Sequence, residues 1–382
     1  MRLLDKTRLT ELIGEHVEAD VGAGKVLGAA IEVLQGDETV YQNFFGHADM
    51  GHTKSVTENT VFRMASMTKP LTAALAMALV DRALLDLDEP ISNYLPRMKE
   101  LSIGKLTENG EVSLIGKAST SITARQILSH TSGMGSGPLY LHYHQGVSPE
   151  IMKSLASAVD WYSTLPISFE PFTAFEYSAT AAFDVLAYVM AMKTDTAYEE
   201  LLKKLVLEPS GMKDTTFSPS EEQWGRMIDM HDYRDGKAIA SYAFPGCVFE
   251  QYPTTHPAAG AGLISTLADY SNFARMLLDG GVVGGERVLS QEAVLEMMRV
   301  QAPFLRSDKQ SCWGLGGRVI TSDQYGALPV GTYGWSGAYG SHFWIDPANK
   351  IAAIYLKNSR FDGGSGNQTG KRLEKDVFEA LI

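Results

Sequence analysis

Val61-Phe-Arg-Met-Ala-Ser66-Met-Thr-Lys69-Pro-Leu-Thr-Ala-Ala-Leu-Ala-Met-Ala-Leu-Val80 is the stretch from which the rest of the chain can be read. A serine opens a long apolar run, and a lysine follows three residues later. On a helix, positions three apart share a face, so the Ser66 hydroxyl and the Lys69 amine can meet. A helix N-terminus also directs unpaired backbone N–H groups toward the serine. Nucleophile, base and local positive field together are what acyl transfer needs. The same Ser-x-x-Lys spacing recurs at Ser102/Lys105 and Ser210/Lys213. The former encloses Ile103-Gly104 and the latter sits in the turn-like Pro209-Ser-Gly-Met-Lys213; neither opens a sustained apolar helix.

The 382 residues suffice for a large core in one or two domains. Hydrophobic residues make up 45% and charged residues 20%, the composition of a soluble globular protein. The net charge is −12 and no dense Lys/Arg run occurs, which argues against nucleic acid or an anionic membrane as partner. The N-terminus lacks an apolar leader core, and Leu3, Leu4, Leu9, Leu12 and Ile13 instead fit an amphipathic helix. The chain therefore reads as cytoplasmic. Cys247 and Cys312 read as reduced thiols. His142 and His144 share a face only on a strand and have no evident third ligand, so no metal is expected. Nothing in the chain calls for a cofactor.

Lys25–Leu34 and Thr39–Phe45, joined by Gln-Gly-Asp-Glu, read as a β-hairpin. Helical patterns occupy 123–128, 150–165, 180–192 and 196–207, then 267–278 and 290–300. Short strand-like runs return at 316–320, 333–335, 341–345 and 351–356, and a helix closes the chain from about Lys371 to Leu381. The expectation is an α/β (α+β) fold: a mainly antiparallel sheet assembled from both termini, flanked by helices and interrupted by a mostly helical insert. Residues 1–75 and 250–382 would form the sandwich domain and 76–249 the insert.

Acyl transfer needs a further proton carrier and an oxyanion hole. Phe175-Glu-Tyr177-Ser-Ala-Thr180 places a tyrosine in a loop before a helix. A phenol, with a reference pKa of about 10, becomes a usable base when an ammonium favours the phenolate; the alternative is a tyrosine packed in the core. Tyr333-Gly-Trp335-Ser-Gly337-Ala338-Tyr339-Gly340 offers glycines beside an expected edge strand, where a backbone N–H could join that of Ser66 in holding an oxyanion. The alternative there is a glycine-rich turn with Trp335 in the core.

Taken jointly, Ser66-Met-Thr-Lys69, Tyr177-Ser-Ala179 and Trp335-Ser-Gly337 resemble, in order and spacing, the class C β-lactamase-like serine hydrolases. Leu27-Gly-Ala-Ala-Ile-Glu-Val33, Ile127-Leu-Ser-His-Thr-Ser-Gly133 and Ala259-Gly-Ala-Gly-Leu-Ile-Ser265 extend the likeness over nearly the whole chain. The resemblance implies the β-lactamase/transpeptidase-like fold, Ser66 as acylated nucleophile, Lys69 and Tyr177 as the proton-transfer pair, and the N–H groups of Ser66 and Ala338 as the oxyanion hole. His130 and Ser132 would be structural. Where the β-lactamases and DD-peptidases carry Tyr-x-Asn and Lys-Thr-Gly, this chain has Ala179 and Trp335. An indole offers one neutral donor and an apolar face in place of a cation. A pocket with Trp335, Gly337, Ala338 and Tyr339 would then suit uncharged acyl groups.

The variant looks like the family VIII carboxylesterases, and the implied substrate is a small-molecule ester, with weak β-lactamase activity on the side. The alternatives are a β-lactamase, a D-amino acid amidase or peptidase, an acyltransferase to an alcohol, and a β-lactam sensor acylated without turnover. Gly334-Trp-Ser336-Gly-Ala338 nearly spells the nucleophile elbow of α/β-hydrolases, but a turn and a strand, not a helix, should follow it. The segment 134–150, with Met134, Leu139, Tyr140, Leu141 and Tyr143, is a candidate pocket wall for its aromatic content.

Overall fold

Ile351-Ala-Ala-Ile-Tyr-Leu356 is buried along its whole length, because strands pair with it on both edges. Alternate side chains serve different cores, as the two-residue period of a strand requires. Ile351, Ala353 and Tyr355 face one apolar cluster, and Ala352, Ile354 and Leu356 face the other. The computed structural model describes residues 2–241, 256–305, 310–364 and 367–382.

This strand lies within a seven-stranded antiparallel sheet. In spatial order the strands are Ser311–Trp313, Arg318–Ile320, Tyr333–Ser336, His342–Asp346, Ile351–Leu356, Gly28–Gln35 and Glu38–Gly46. The sheet thus draws on both ends of the chain, and the fold is the expected α+β type. The Gly28–Gln35/Glu38–Gly46 hairpin turns at Gly36, whose φ of 57° suits a glycine. Helices Lys6–Gly22 and Gln368–Glu379 cover one face through Leu9, Ile13, Val17, Leu373 and Val377. Helix Leu267–Leu278 covers the other, and helix Thr68–Val80, buried from Thr68 to Leu79, packs against helices Ala181–Thr194 and Gln291–Met298. A helix apolar on every side belongs in the middle of a core. Its Pro70 falls in the first turn, where the missing N–H costs nothing.

Several elements depart from the sequence expectation. The Tyr333–Ser336 strand is interior, not an edge: its neighbour pairs with Tyr333 and Gly334 and stops, leaving Trp335 and Ser336 open on that side. The middle of the chain is helical, as in Ala181–Thr194, but also holds an unforeseen hairpin, Ser102–Leu106 with Val112–Lys117. Ser102 and Lys105 therefore sit on a strand, where a spacing of three puts them on opposite faces. Segment 134–150 contains the helix Pro138–His144, on which His142 and His144 diverge. Among the described residues no group of three or more His, Cys, Asp or Glu could hold a metal, and no helix is long and apolar enough to cross a membrane. Cys312 is buried, whereas Cys247 lies outside the described residues.

Glu32, on the Gly28–Gln35 strand next to the sheet's edge, is a buried carboxylate. It accepts from Ser271 Oγ, Thr39 Oγ1 and Arg275 Nη2 at 2.6, 2.7 and 3.0 Å, tying hairpin to helix. Removing the guanidinium leaves a buried charge without its cation. Arg275→Ala should cost about 2–3 kcal/mol in urea unfolding, with Glu32→Gln restoring part of the loss in the double variant.

Candidate active site

Ser66 stands at a sharp entry to its helix. Ala65 has a φ of 46°, a conformation worth about 1–2 kcal/mol of strain in a non-glycine residue. The short 3-10 turn Ala65–Met67 then leads into the helix that begins at Thr68. Packing holds this entry in place: Tyr270 Oη donates to the Met67 carbonyl at 2.9 Å, and the Asn358 side chain both accepts from Arg63 N–H and donates to its carbonyl.

Lys69 is fully buried. Its Nζ donates to the carbonyls of Ala179 and Gly260, both at 2.8 Å, and lies 3.5 Å from Ser66 Oγ. Burial pulls its pKa below the ordinary lysine value, against the opposing influence of Tyr177 and Asp184. Both carbonyls are deliberately presented. Asp184 accepts from Ala259 N–H at 2.8 Å and meets His256 Nε2 at 3.1 Å, binding segment 256–260 to the helix after Tyr177. Thr72 Oγ1 donates to the Ala259 carbonyl and Leu263 N–H to Thr68 Oγ1, binding residues 259–263 to the Ser66 helix.

Tyr177 comes to Ser66 from a different part of the chain. Its hydroxyl is hydrogen-bonded to Ser66 Oγ at 2.7 Å, and the Trp335 indole N–H donates to the same phenol oxygen at 3.3 Å. Lys69 Nζ lies 4.8 Å from the centre of the Tyr177 ring. The backbone around Tyr177 is clamped by Ser136, whose N–H donates to the Tyr177 carbonyl while its Oγ accepts from Ala179 N–H, both at 2.8 Å.

Gly337 and Ala338 follow Trp335 in a tight turn, with Gly337 N–H donating to the Ser341 carbonyl at 2.8 Å. A Cβ on Gly337 would strike Ser341 and the Met64 carbonyl, so glycine is needed for the turn to approach the serine. The Gly337 N–H is therefore committed. Among the described residues the N–H groups of Ser66 and Ala338 have no acceptor, and both remain available as donors.

Sequence reasoning placed Tyr339 in the substrate pocket. It is 2% exposed and packs with Ala65 and Met230 in a small core of its own, so its ring supports the turn from below. Ser336, the elbow candidate, is also buried: its Oγ meets His342 Nδ1 at 2.8 Å, and His342 Nε2 meets Glu374 at 3.1 Å. A turn and the His342–Asp346 strand follow Ser336, so the elbow geometry is missing.

Two participants were missed. Trp313 lies 4.6 Å from Trp335, 4.2 Å from His130 and 5.9 Å from Tyr177 between ring centres, completing an aromatic wall. Ser136 is the other. Neither has a local motif: Trp313 reaches the wall through strand pairing, and Ser136 through the packing of a loop. His130, read as structural, is buried in this wall with a φ of 59°; its Nδ1 accepts from Ser178 N–H at 3.1 Å. Burial and then the nearby Lys69 hold its pKa well below the usual histidine value, which keeps the ring neutral.

Of the proposed pocket-wall residues, Met134, Leu139, Tyr140 and Tyr143 line one cavity, together with Leu101 and Ile167. Leu141 is exposed and takes no part. Tyr140 Oη is hydrogen-bonded to Thr180 Oγ1 at 2.9 Å, so this wall adjoins the Tyr177 segment.

A model of the Beta-lactamase family matches residues 13–375, and the chain belongs to that family. It is 31% identical to an uncharacterized protein of Mycobacterium tuberculosis over 359 residues, covering 87% of this chain and 86% of that one. It is 28% identical to Esterase EstB of Burkholderia gladioli over 399 residues, covering 96% and 94%. Among solved structures it resembles EstCE1, a hydrolase with promiscuous acyltransferase activity, with a TM-score of 0.82 at 21% identity and coverage of 98% and 99%. The likeness to β-lactamase-type hydrolases read from the three motifs is thus established, as is the fold.

A Cβ at Gly260 would strike the Ala179 carbonyl, wedging apart the two acceptors of Lys69. Gly260→Ala should therefore lower kcat/KM by about 10²-fold, since displacements near 1 Å at a reacting group have that effect. Kinetics alongside circular dichroism would separate this from unfolding.

Proposed function

We propose that the protein is a carboxylesterase that forms an acyl-enzyme on Ser66. The observation carrying this reading is the 2.7 Å contact between Ser66 and Tyr177, beside a desolvated Lys69. Ser66 Oγ attacks the ester carbonyl carbon, and its proton passes to the phenol oxygen of Tyr177. The carbonyl oxygen takes up negative charge between the N–H groups of Ser66 and Ala338, each worth about 10²–10³ in rate. The C–O bond to the alcohol then breaks, and Tyr177 returns the proton to the leaving oxygen. Water adds to the acyl carbon with Tyr177 again taking the proton, and Ser66 departs. Lys69 supplies positive charge beside the phenol throughout.

Two features favour esters over β-lactams. Trp335 stands where a β-lactamase of this type carries lysine, and its N–H is engaged with Tyr177. The likeness to Esterase EstB points the same way. Ser66→Ala should abolish turnover of p-nitrophenyl butyrate, and Tyr177→Phe should lower it by about 10²–10⁴-fold. A chromogenic cephalosporin should be turned over far more slowly than the ester. Cephalosporin turnover exceeding ester turnover, or ester turnover surviving in Ser66→Ala, would refute the reading.

The Lys69/Tyr177 pair acts after losing one proton, whichever residue releases it, so the titration belongs to the pair. Burial of Lys69 disfavours its charged form, so that proton leaves below the ordinary lysine range. The expected profile of kcat/KM rises with pH along a limb below that range, and Lys69→Ala, which removes the cation beside the phenol, should shift that limb to higher pH.

The cavity behind Met134 and Tyr143 is the proposed seat of the acyl chain. Tyr143→Ala should shift the preferred p-nitrophenyl ester toward longer chains; an unchanged chain-length profile would exclude the assignment.

A further inference from the structure

Arg318 differs from the other arginines. Arg125, Arg275 and Arg360 meet carboxylates, while Arg2, Arg82 and Arg287 donate to backbone carbonyls. Among the described residues the Arg318 guanidinium does neither. Its carbon sits 4.6 Å over the ring centre of Tyr325 and 6.0 Å from that of Trp335. In the sheet, Arg318 pairs with Trp313 on one side and Gly334 on the other, so this cation arises from within the aromatic wall. It is half-buried.

Stacking engages only the flat face of a guanidinium. The N–H groups around its edge stay uncommitted, in a planar fork that fits a carboxylate at two points. Holding such a charge partly out of water without an anion is unfavourable, and a substrate anion would relieve that. Trp335 removes a positive charge from its own strand, but the neighbouring strand supplies one.

We propose that Arg318 is the anion-binding element of this active site, and that the natural substrate is an ester carrying a carboxylate. This rests on the esterase reading and revises the expectation of an uncharged substrate. The guanidinium binds the carboxylate through two parallel hydrogen bonds while the ester carbonyl lies at Ser66.

Two matched ester pairs test it. In one, the carboxylate is on the leaving group: meta-butyryloxybenzoate against its carboxamide. In the other it is on the acyl group: the mono-p-nitrophenyl ester of adipic acid against its monoamide. Wild type should favour the anionic member of at least one pair by about tenfold or more in kcat/KM, the usual scale of a charge-assisted hydrogen bond. Arg318→Gln should bring that ratio toward one, and Arg318→Lys should leave an intermediate value. General damage to the fold would lower both members together and leave the ratio standing. Equal rates within both pairs in wild type, or a ratio that Arg318→Gln leaves unchanged, would overturn the assignment. If wild type hydrolyses none of the four esters, the esterase reading fails, and calorimetry of meta-butyryloxybenzoate with Ser66→Ala decides the rest. Binding lost on adding Arg318→Gln would sustain the anion site; binding unaffected by it, or no binding at all, would overturn it.

Discussion

The buried amine of Lys69 organises the molecule. A lysine nitrogen removed from water needs acceptors at fixed places, and the fold supplies the carbonyls of Ala179 and Gly260. Those two groups lie on segments distant from Lys69 and from each other in sequence. Meeting at one nitrogen, they bring the Tyr177 loop onto the serine helix and seat segment 256–263 beside both. Asp184, Thr72, Thr68 and Ser136 serve that convergence, each bonding to backbone near one of the acceptors. The meeting of Ser66, Lys69 and Tyr177 is thus a by-product of satisfying one expensive buried group.

The sheet contributes the other half. The interior strand Tyr333–Ser336 outlasts its neighbour by two residues, and there Trp335 reaches Tyr177 and the chain turns toward Ser66. Behind the turn, Gly340 packs on Lys357 and Gly364 packs on the Ala338 carbonyl, positions where any side chain would collide. Lys357 is itself held by Asp362 at 3.0 Å, with both groups fully buried. A desolvated ion pair therefore lies beneath Ala338, as the desolvated Lys69 amine lies beneath Ser66.

Much of this was legible in the chain. Strand runs with alternating or continuous apolar character, such as 351–356, and helices with a clear apolar stripe, such as 267–278, signal themselves locally. The three motifs could be read because their order and spacing constrain one another. What was hidden depends on register and tertiary packing. The Ser102–Lys117 hairpin escaped notice because Leu114 and Ile115 are both exposed, which spoils the alternation that marks a half-buried strand. Trp313 joins the wall only through its pairing opposite Arg318, and no spacing rule reports that. Tyr339 misled because an aromatic beside a glycine turn looks the same in sequence whether its ring faces a ligand or a core.

The burial of two lysines has a consequence outside catalysis. Lys69 and Lys357 are both 0% exposed, while many other amines of the chain lie in solvent. An amine-acylating reagent will modify the surface lysines at once and reach these two only when the structure opens. Lys69 opens with the helical side of the molecule and Lys357 with the sheet. Peptide-resolved labelling against time therefore gives two internal clocks, one on each side of Ser66. Whether they run together tells whether the sheet and the helical region unfold as one body or separately.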